Sequence, residues 1–344
     1  GQKKVKEKEK AIINLTIDKN KEVGDVYIIN DEKRKVINIF IGKDEVNIND
    51  EDVRKGTVNI LSLSKQLEVS ELFLQIDKKI KKEVREKVKR AFVEGLILAS
   101  YSISFKEDKE KKTIKALYID EIDEELKKTI IIAGCHNYAR KIINLPPNIA
   151  TPEYFAEEAK ALANKYGLKL TLWDKKKLEK EGLNLALAVN AGSDREVFLV
   201  HLSYKNKNSI KTFAVVGKGI CFDSGGLGIK PAKSMANMHL DKSGGCIAFA
   251  IIKACALLGI EANVDVVCIF TENLINGKAT KPSSIIKSYS GKTVEVLHTD
   301  AEGRLILADA ISYVIKHVKP HYIVDIATLT GAMSITLGDK AIGL

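Results

Sequence analysis

Two successive prolines, Pro146 and Pro147, close a long helical pattern and divide the chain into two kinds of sequence. A helix cannot run through them, because proline lacks an amide donor and pushes the residue before it out of helical geometry. Upstream, short β-rich runs at 11–17, 36–41, 58–63 and 72–76 precede a helical pattern over 79–100. In that pattern Val84, Val88, Phe92, Leu96 and Leu98 recur at near-helical spacing. Residues 106–112 are all charged and read as a hairpin tip or loop. A second helical stretch, 122–143, leads into the prolines, and the hinge between domains is expected in or beside it.

Downstream, helices alternate with apolar, β-branched strands. Thr151 is an expected N-cap with Pro152 at the first helical position, the helix running to about Tyr166. Strands are expected at 168–172, 197–202, 212–216, 262–270, 293–297 and 322–329. Helices are expected at 175–181, capped by Asp174, and at 243–258 and 302–317. This predicts an α/β chain: a smaller N-terminal α/β domain over 1–122, a connecting helix over 123–145, and a second α/β domain over 146–344. The second domain's sheet is expected to be mixed, largely parallel and covered on both faces.

Lys plus Arg outnumber Asp plus Glu by 55 to 45, so the net charge is +10. Residues 1–150 and 151–344 each carry about +5, and this even spread is weak evidence for a dedicated basic face. The densest basic run, 78–90, is interleaved with Glu83 and Glu86 and reads as a solvated helix. Binding to nucleic acid stands as the alternative to an enzyme. No apolar run reaches bilayer length, and the first six residues lack the apolar stretch of a signal peptide. Cys135, Cys221, Cys246, Cys255 and Cys268 are odd in number and form no Cys-x-x-Cys pair, which suggests reduced, mostly buried thiols in a cytoplasmic protein. The six histidines contain no His-Glu-x-x-His, so any metal site must rest mainly on carboxylates.

The chemistry is concentrated after residue 213. Gly217 and Gly219 could belong to a phosphate-cradling turn, but the third glycine position of a dinucleotide fingerprint holds Phe222, and no Gly-Lys-Ser/Thr closes a P-loop. Carboxylates accumulate among small residues instead. Asp223 precedes Ser-Gly-Gly, Asp241 lies just before an apolar helical stretch, and Asp300 and Glu302 sit between a strand and a helix. Each alone reads as a cap or turn former. Four at the strand ends of one α/β domain point to a ligand site. Four clustered carboxylates need compensation, which two divalent metals would supply; Lys218 and Lys230 flank Asp223 and could also take part.

The segments Val216-Gly217-Lys218-Gly219, Phe222-Asp223-Ser224-Gly225-Gly226, Ile229-Lys230-Pro231, Thr299-Asp300-Ala301-Glu302-Gly303-Arg304-Leu305 and Ala327-Thr328-Leu329-Thr330-Gly331 resemble the cytosolic leucine aminopeptidase family over residues 135–344. The resemblance implies a dinuclear metallo-aminopeptidase with 146–344 as its catalytic domain. It implies metal ligands Lys218, Asp223, Asp241, Asp300 and Glu302, binding Zn or Mn, or Mg or Co. Lys230 would stabilise the oxyanion and Arg304 would hold a bicarbonate proton relay. Met238, Thr328, Leu329 and Gly331 would meet the substrate, with Met238 and Leu329 equally readable as core.

The same resemblance implies peptide substrates with N-terminal Leu or other apolar residues, a homo-hexamer, and no membrane partner. Two positions depart from the family pattern: His298 where Asn is usual, and Lys242 where an apolar residue, often Met, is usual. Family chains run well beyond the segment that matches Thr328–Gly331, so the catalytic domain is expected to be incomplete at its C-terminal end.

Overall fold

The computed structural model describes residues 10–344 apart from 19, 22–24, 31–34, 44, 46–47, 106–113 and 339. The charged stretch 106–112 and the first six residues, both read above, lie outside the described residues. By its internal contacts the chain divides into two units, Gly1–Asn137 and Tyr138–Leu344.

In the first unit, β1 (Lys10–Thr16), β2 (Val26–Asn30), β3 (Lys35–Phe40), α1 (Asp50–Gln66), β4 (Glu71–Ile76), α2 (Lys82–Ala99) and β5 (Ala116–Tyr118) follow in sequence. The strands form one sheet in the order β2-β3-β1-β4-β5, antiparallel only between β2 and β3. Strand alternation buries Ile13, Leu15, Ile37 and Ile39 in one core with Leu72 and Phe92. One expectation fails here: 58–63 is not a strand but lies inside α1. The run is too short to reveal its period. What decides it is the longer frame: Asn49 caps Glu51 N, acidic residues fill the first turn, and Val53, Thr57, Ile60 and Ser64 are buried at helical spacing.

α3 (Glu124–Ile143) runs across the division between the units. The second unit continues with α4 (Pro152–Tyr166), β6 (Lys169–Trp173), α5 (Lys175–Glu181), α6 (Asn184–Asn190), β7 (Phe198–Tyr204), β8 (Thr212–Asp223) and α7 (Ala232–Met235). After α7 comes a 3-10 turn, Met238–Lys242. Then follow α8 (Ser243–Leu258), β9 (Asn263–Asn273), β10 (Ser284–Lys287), β11 (Thr293–Val296), α9 (Glu302–His317), β12 (Tyr322–Ile326) and α10 (Ala332–Leu337). Thr151 and Asp174 cap α4 and α5 as their sequence positions suggest.

The main sheet has the order β12-β8-β9-β7-β6. It is mixed: β8 is parallel to both β9 and β12, while β7 is antiparallel to β9 and β6. β9 is buried nearly throughout, and its two sets of side chains serve different cores. Val267 and Ile269 join Leu185, Leu305 and Ile306 from α6 and α9. Phe270 stacks on Phe155 of α4, 4.3 Å between ring centroids, with Phe249 of α8 edge-on. Helices therefore cover both faces. Asp309 on α9, fully buried, accepts from Leu185 N at 2.9 Å and Ala186 N at 3.1 Å, capping α6 from across the core.

The expected strand 212–216 stops too early. β8 continues through Gly217 and Gly219 to Asp223, so these glycines form no turn. A Cβ on Gly217 would stand 2.6 Å from Gly245 Cα. The backbone that the missing side chain admits belongs to α8.

Candidate metal centre

β8, β9 and β12 point the same way; β8 and β9 finish together at Asp223 and Asn273, while β12 ends at Ile326, opposite Gly217 and beside Lys218 of β8. Side chains gather at this end, as ligand sites do at strand ends of α/β sheets. β8 supplies Lys218 and Asp223, the 3-10 turn supplies Asp241, and the stretch entering α9 supplies Asp300 and Glu302. Asp223, Asp300 and Glu302 each offer an oxygen, and the three lie within 4.8 Å of one another. Asp241 joins through Lys218, whose Nζ is 2.8 Å from Asp241 Oδ1 and 2.9 Å from Glu302 Oε1. Thr328 Oγ1 donates to Asp241 Oδ1 at 2.8 Å. Lys230 Nζ lies 2.8 Å from Asp223 Oδ2 and also pairs with Asp300.

Neither Asp241 nor Asp300 is a helix cap. The N-cap positions of α8 and α9 are Lys242 and Ala301, and neither makes a side-chain cap bond. Gly303 makes room for the site: a Cβ there would stand 2.6 Å from Lys218 Cε, and its absence lets the lysine stem lie along the first turn of α9.

Among the described residues, two ammonium groups face four carboxylates. Lys218, Asp223, Asp241 and Glu302 are all buried. Burial pushes the Asp241 carboxyl up to about 7, Lys218 opposing the rise and Glu302 adding to it. For Lys218 burial works against the charge, but Asp241 and Glu302 outweigh it, and its pKa is raised. Lys230 is raised in the same way by Asp223 and Asp300 against its own burial. A divalent cation at these oxygens would act on both lysines in the opposite sense.

The donor set fits such cations. Asp241 Oδ2 and Glu302 Oε2 are buried without a hydrogen-bond partner among the described residues. Carboxylate oxygens with one amine nitrogen suit Mg, Mn, Co or Zn.

The other expected residues are distributed around this cluster. Arg304, on the first turn of α9, is exposed and pairs with no carboxylate among the described residues. Met238 is half-buried at the start of the 3-10 turn. Thr328, Leu329 and Gly331 follow β12 and are exposed among the described residues. Of these, Thr328 is bonded directly to the cluster.

The two departures also resolve. His298 is exposed, and its Nδ1 accepts from Asp300 N at 3.1 Å, so that nitrogen is spent on the loop backbone. Lys242 is fully buried; its ammonium donates to Leu145 O at 3.2 Å and to His239 O, and burial lowers its pKa.

Sequence reasoning gave Asn273 and Thr299 no role in the site. Asn273 Nδ2 donates to Asp223 Oδ1 at 2.8 Å and to Thr299 O at 3.0 Å. Asn273 reaches Asp223 through the pairing of β8 with β9, a contact between residues far apart in the chain.

Among the described residues no helix is long and apolar enough to cross a membrane. The catalytic domain of the cytosol aminopeptidase family matches residues 137–344. A probable cytosol aminopeptidase of Sulfurihydrogenibium sp. (strain YO3AOP1) is 38% identical over 316 residues, covering 89% of this chain and 62% of its own length. One from Clostridium tetani (strain Massachusetts / E88) is 38% identical over 329 residues, covering 92% and 68%. The solved structure of the bottromycin maturation enzyme BotP in complex with Mn superposes with a TM-score of 0.83 at 25% identity, covering 96% of this chain and 74% of that one. The chain thus spans about three fifths of the length of the first of these relatives. By its matched residues and its fold, the chain belongs to the cytosol aminopeptidase family, whose catalytic domain it carries over residues 137–344.

Proposed function

We propose that this chain carries the catalytic machinery of a leucyl aminopeptidase-type metalloexopeptidase, which hydrolyses the N-terminal peptide bond of peptides beginning with Leu or another apolar residue. The observation that carries the reading is the convergence of Asp223, Asp300 and Glu302 oxygens within 4.8 Å, joined by the Lys218–Asp241 pair. The residues proposed to hold two divalent ions, Zn or Mn, or Mg or Co, are Lys218, Asp223, Asp241, Asp300 and Glu302. Bound there, the ions supply Lewis acidity and lower the pKa of a water to near neutral.

The chain's own groups do the rest. Lys230, held between Asp223 and Asp300, presents a cation to the carbonyl oxygen and stabilises its developing charge. Arg304 reaches solvent from α9 and would hold bicarbonate as a proton relay. Thr328 fixes the orientation of Asp241, and Met238, Leu329 and Gly331 would meet the substrate's first side chain. By family resemblance the working form is a cytoplasmic homo-hexamer. The nucleic-acid alternative draws on net charge and family resemblance, with no site in the described residues assigned to it.

The test is hydrolysis of leucine anilide, abolished by a chelator and restored by Mn, Zn or Co. Asp300→Ala and Glu302→Ala should lose bound metal and activity together. Activity retained in either variant would remove the site assignment.

A further inference from the structure

Asn273 closes β9 directly opposite Asp223 and is 5% exposed. Its side-chain nitrogen donates to two acceptors at once, Asp223 Oδ1 and the Thr299 carbonyl. Both partners are oxygens that only accept, so the orientation of the amide is settled chemically. Its main-chain carbonyl accepts from Ser224 N at 2.9 Å and Ser224 Oγ at 2.8 Å. Asp223 Oδ1 also takes Gly225 N at 2.8 Å. That oxygen therefore carries two donors, while Oδ2 pairs with Lys230.

Thr299 completes the connection from the other side. Its hydroxyl donates to Gly225 O at 2.7 Å and accepts from Gly228 N at 2.7 Å, one residue before Asp300. Residues 223–228 and 299–300 are thereby fastened together through Asn273 and Thr299.

We infer that Asn273 is a positioning residue for the metal centre: its carboxamide occupies Asp223 Oδ1, makes Asp223 a one-oxygen donor through Oδ2, and holds the strand end bearing Asp223 in register with the loop bearing Asp300. This rests on the metal reading of the site given above. Groups that orient ligand carboxylates in this way typically change metal affinity by about 10- to 100-fold when removed. Leucine at 273 would fill nearly the same volume without donating. It would leave Asp223 Oδ1 with Gly225 N alone, and the carboxylate could turn to offer both oxygens.

The test is Mn2+ binding by calorimetry and by electron paramagnetic resonance on the full 344-residue chain, for wild type, Asn273→Leu and Asn273→Ala. Circular dichroism in chelator selects the variants that are folded. The expected result is an increase of about tenfold in the Mn2+ dissociation constant, with a changed resonance line shape from the altered Asp223 coordination. Either folded variant suffices. A folded variant that binds within twofold of wild type with an unchanged spectrum overturns the positioning role. If neither variant folds, Asn273 is a folding residue and the inference is likewise overturned. A wild-type chain that takes up no Mn2+ overturns the metal reading itself, a distinct outcome.

Discussion

The Lys218 ammonium stands 2.8 Å from Asp241 Oδ1, and both groups are almost wholly buried. The same nitrogen reaches Glu302 Oε1 at 2.9 Å, so one cation separates two carboxylates that would otherwise repel in a medium of low polarity. Removing one partner of a buried ionic cluster leaves uncompensated charge, at a cost of about 3–5 kcal/mol. Lys218→Met should therefore lower stability in chelator by about that amount. Added Mn2+ should recover part of the loss, because a divalent cation can replace the missing positive charge. Urea unfolding with and without Mn2+ measures both. A variant as stable as wild type in chelator would show that the pair contributes no net stabilisation.

Among the expected charged residues, Arg304 alone faces solvent with no carboxylate partner among the described residues. A group holding a proton relay should matter for turnover and not for metal uptake. Arg304→Ala is expected to bind Mn2+ as tightly as wild type while kcat falls about 100-fold, the scale of general acid–base assistance. Calorimetry and steady-state kinetics on one preparation separate the two effects. A parallel loss of metal affinity would place Arg304 in the structural support of the site instead.

Much of the second unit was legible because its signals are local. Lys175–Glu181, Ser243–Leu258 and Glu302–His317 are helices at the expected bounds, each set by a cap, a glycine stop or a clear change of pattern. The first unit was less legible. The run 58–63 carries too few residues to separate a period of two from one of 3.6, and burial inside α1 decided it. In the candidate site, carboxylates beside glycines were visible as a pattern. Asn273 was not, because its contact with Asp223 exists only through the register of β8 on β9.

Asp265 on β9 gives a pH dependence away from the metal centre. Burial raises its pKa, but hydrogen bonds from His201, Lys205 and Ser203 outweigh this and hold the carboxyl below its ordinary 3.8. His201 also meets the Tyr313 hydroxyl at 3.2 Å. A carboxylate whose folded pKa is depressed contributes stability that is fully present above the unfolded value. That contribution is lost as pH falls through the folded one. The stability difference between wild type and Asp265→Asn should be about 2 kcal/mol and constant above pH about 5, then shrink as pH drops through and below 3.8. Urea titrations at several pH values would reveal it. A difference that grows on acidification would contradict the assigned direction.

Lys242 follows Asp241 in the chain and is buried with backbone carbonyls, Leu145 O and His239 O, as its hydrogen-bond acceptors. Burial lowers its pKa, the sign of a cation held at a desolvation cost. Methionine has nearly the same length and no charge. Lys242→Met exchanges two bonds to carbonyls, about 1.5–3 kcal/mol each when the donor is charged, for the end of that desolvation cost, which is several kcal/mol per buried ion. The two nearly cancel, so unfolding stability in chelator should change by less than about 2 kcal/mol. Metal binding should change in a definite direction: with one positive charge gone beside Asp241, Mn2+ should bind several-fold more tightly. Calorimetric titration of the variant decides the point. Weaker binding would mean that the ammonium's grip on Leu145 and His239 holds the Asp241 turn in place and outweighs its repulsion of the ion.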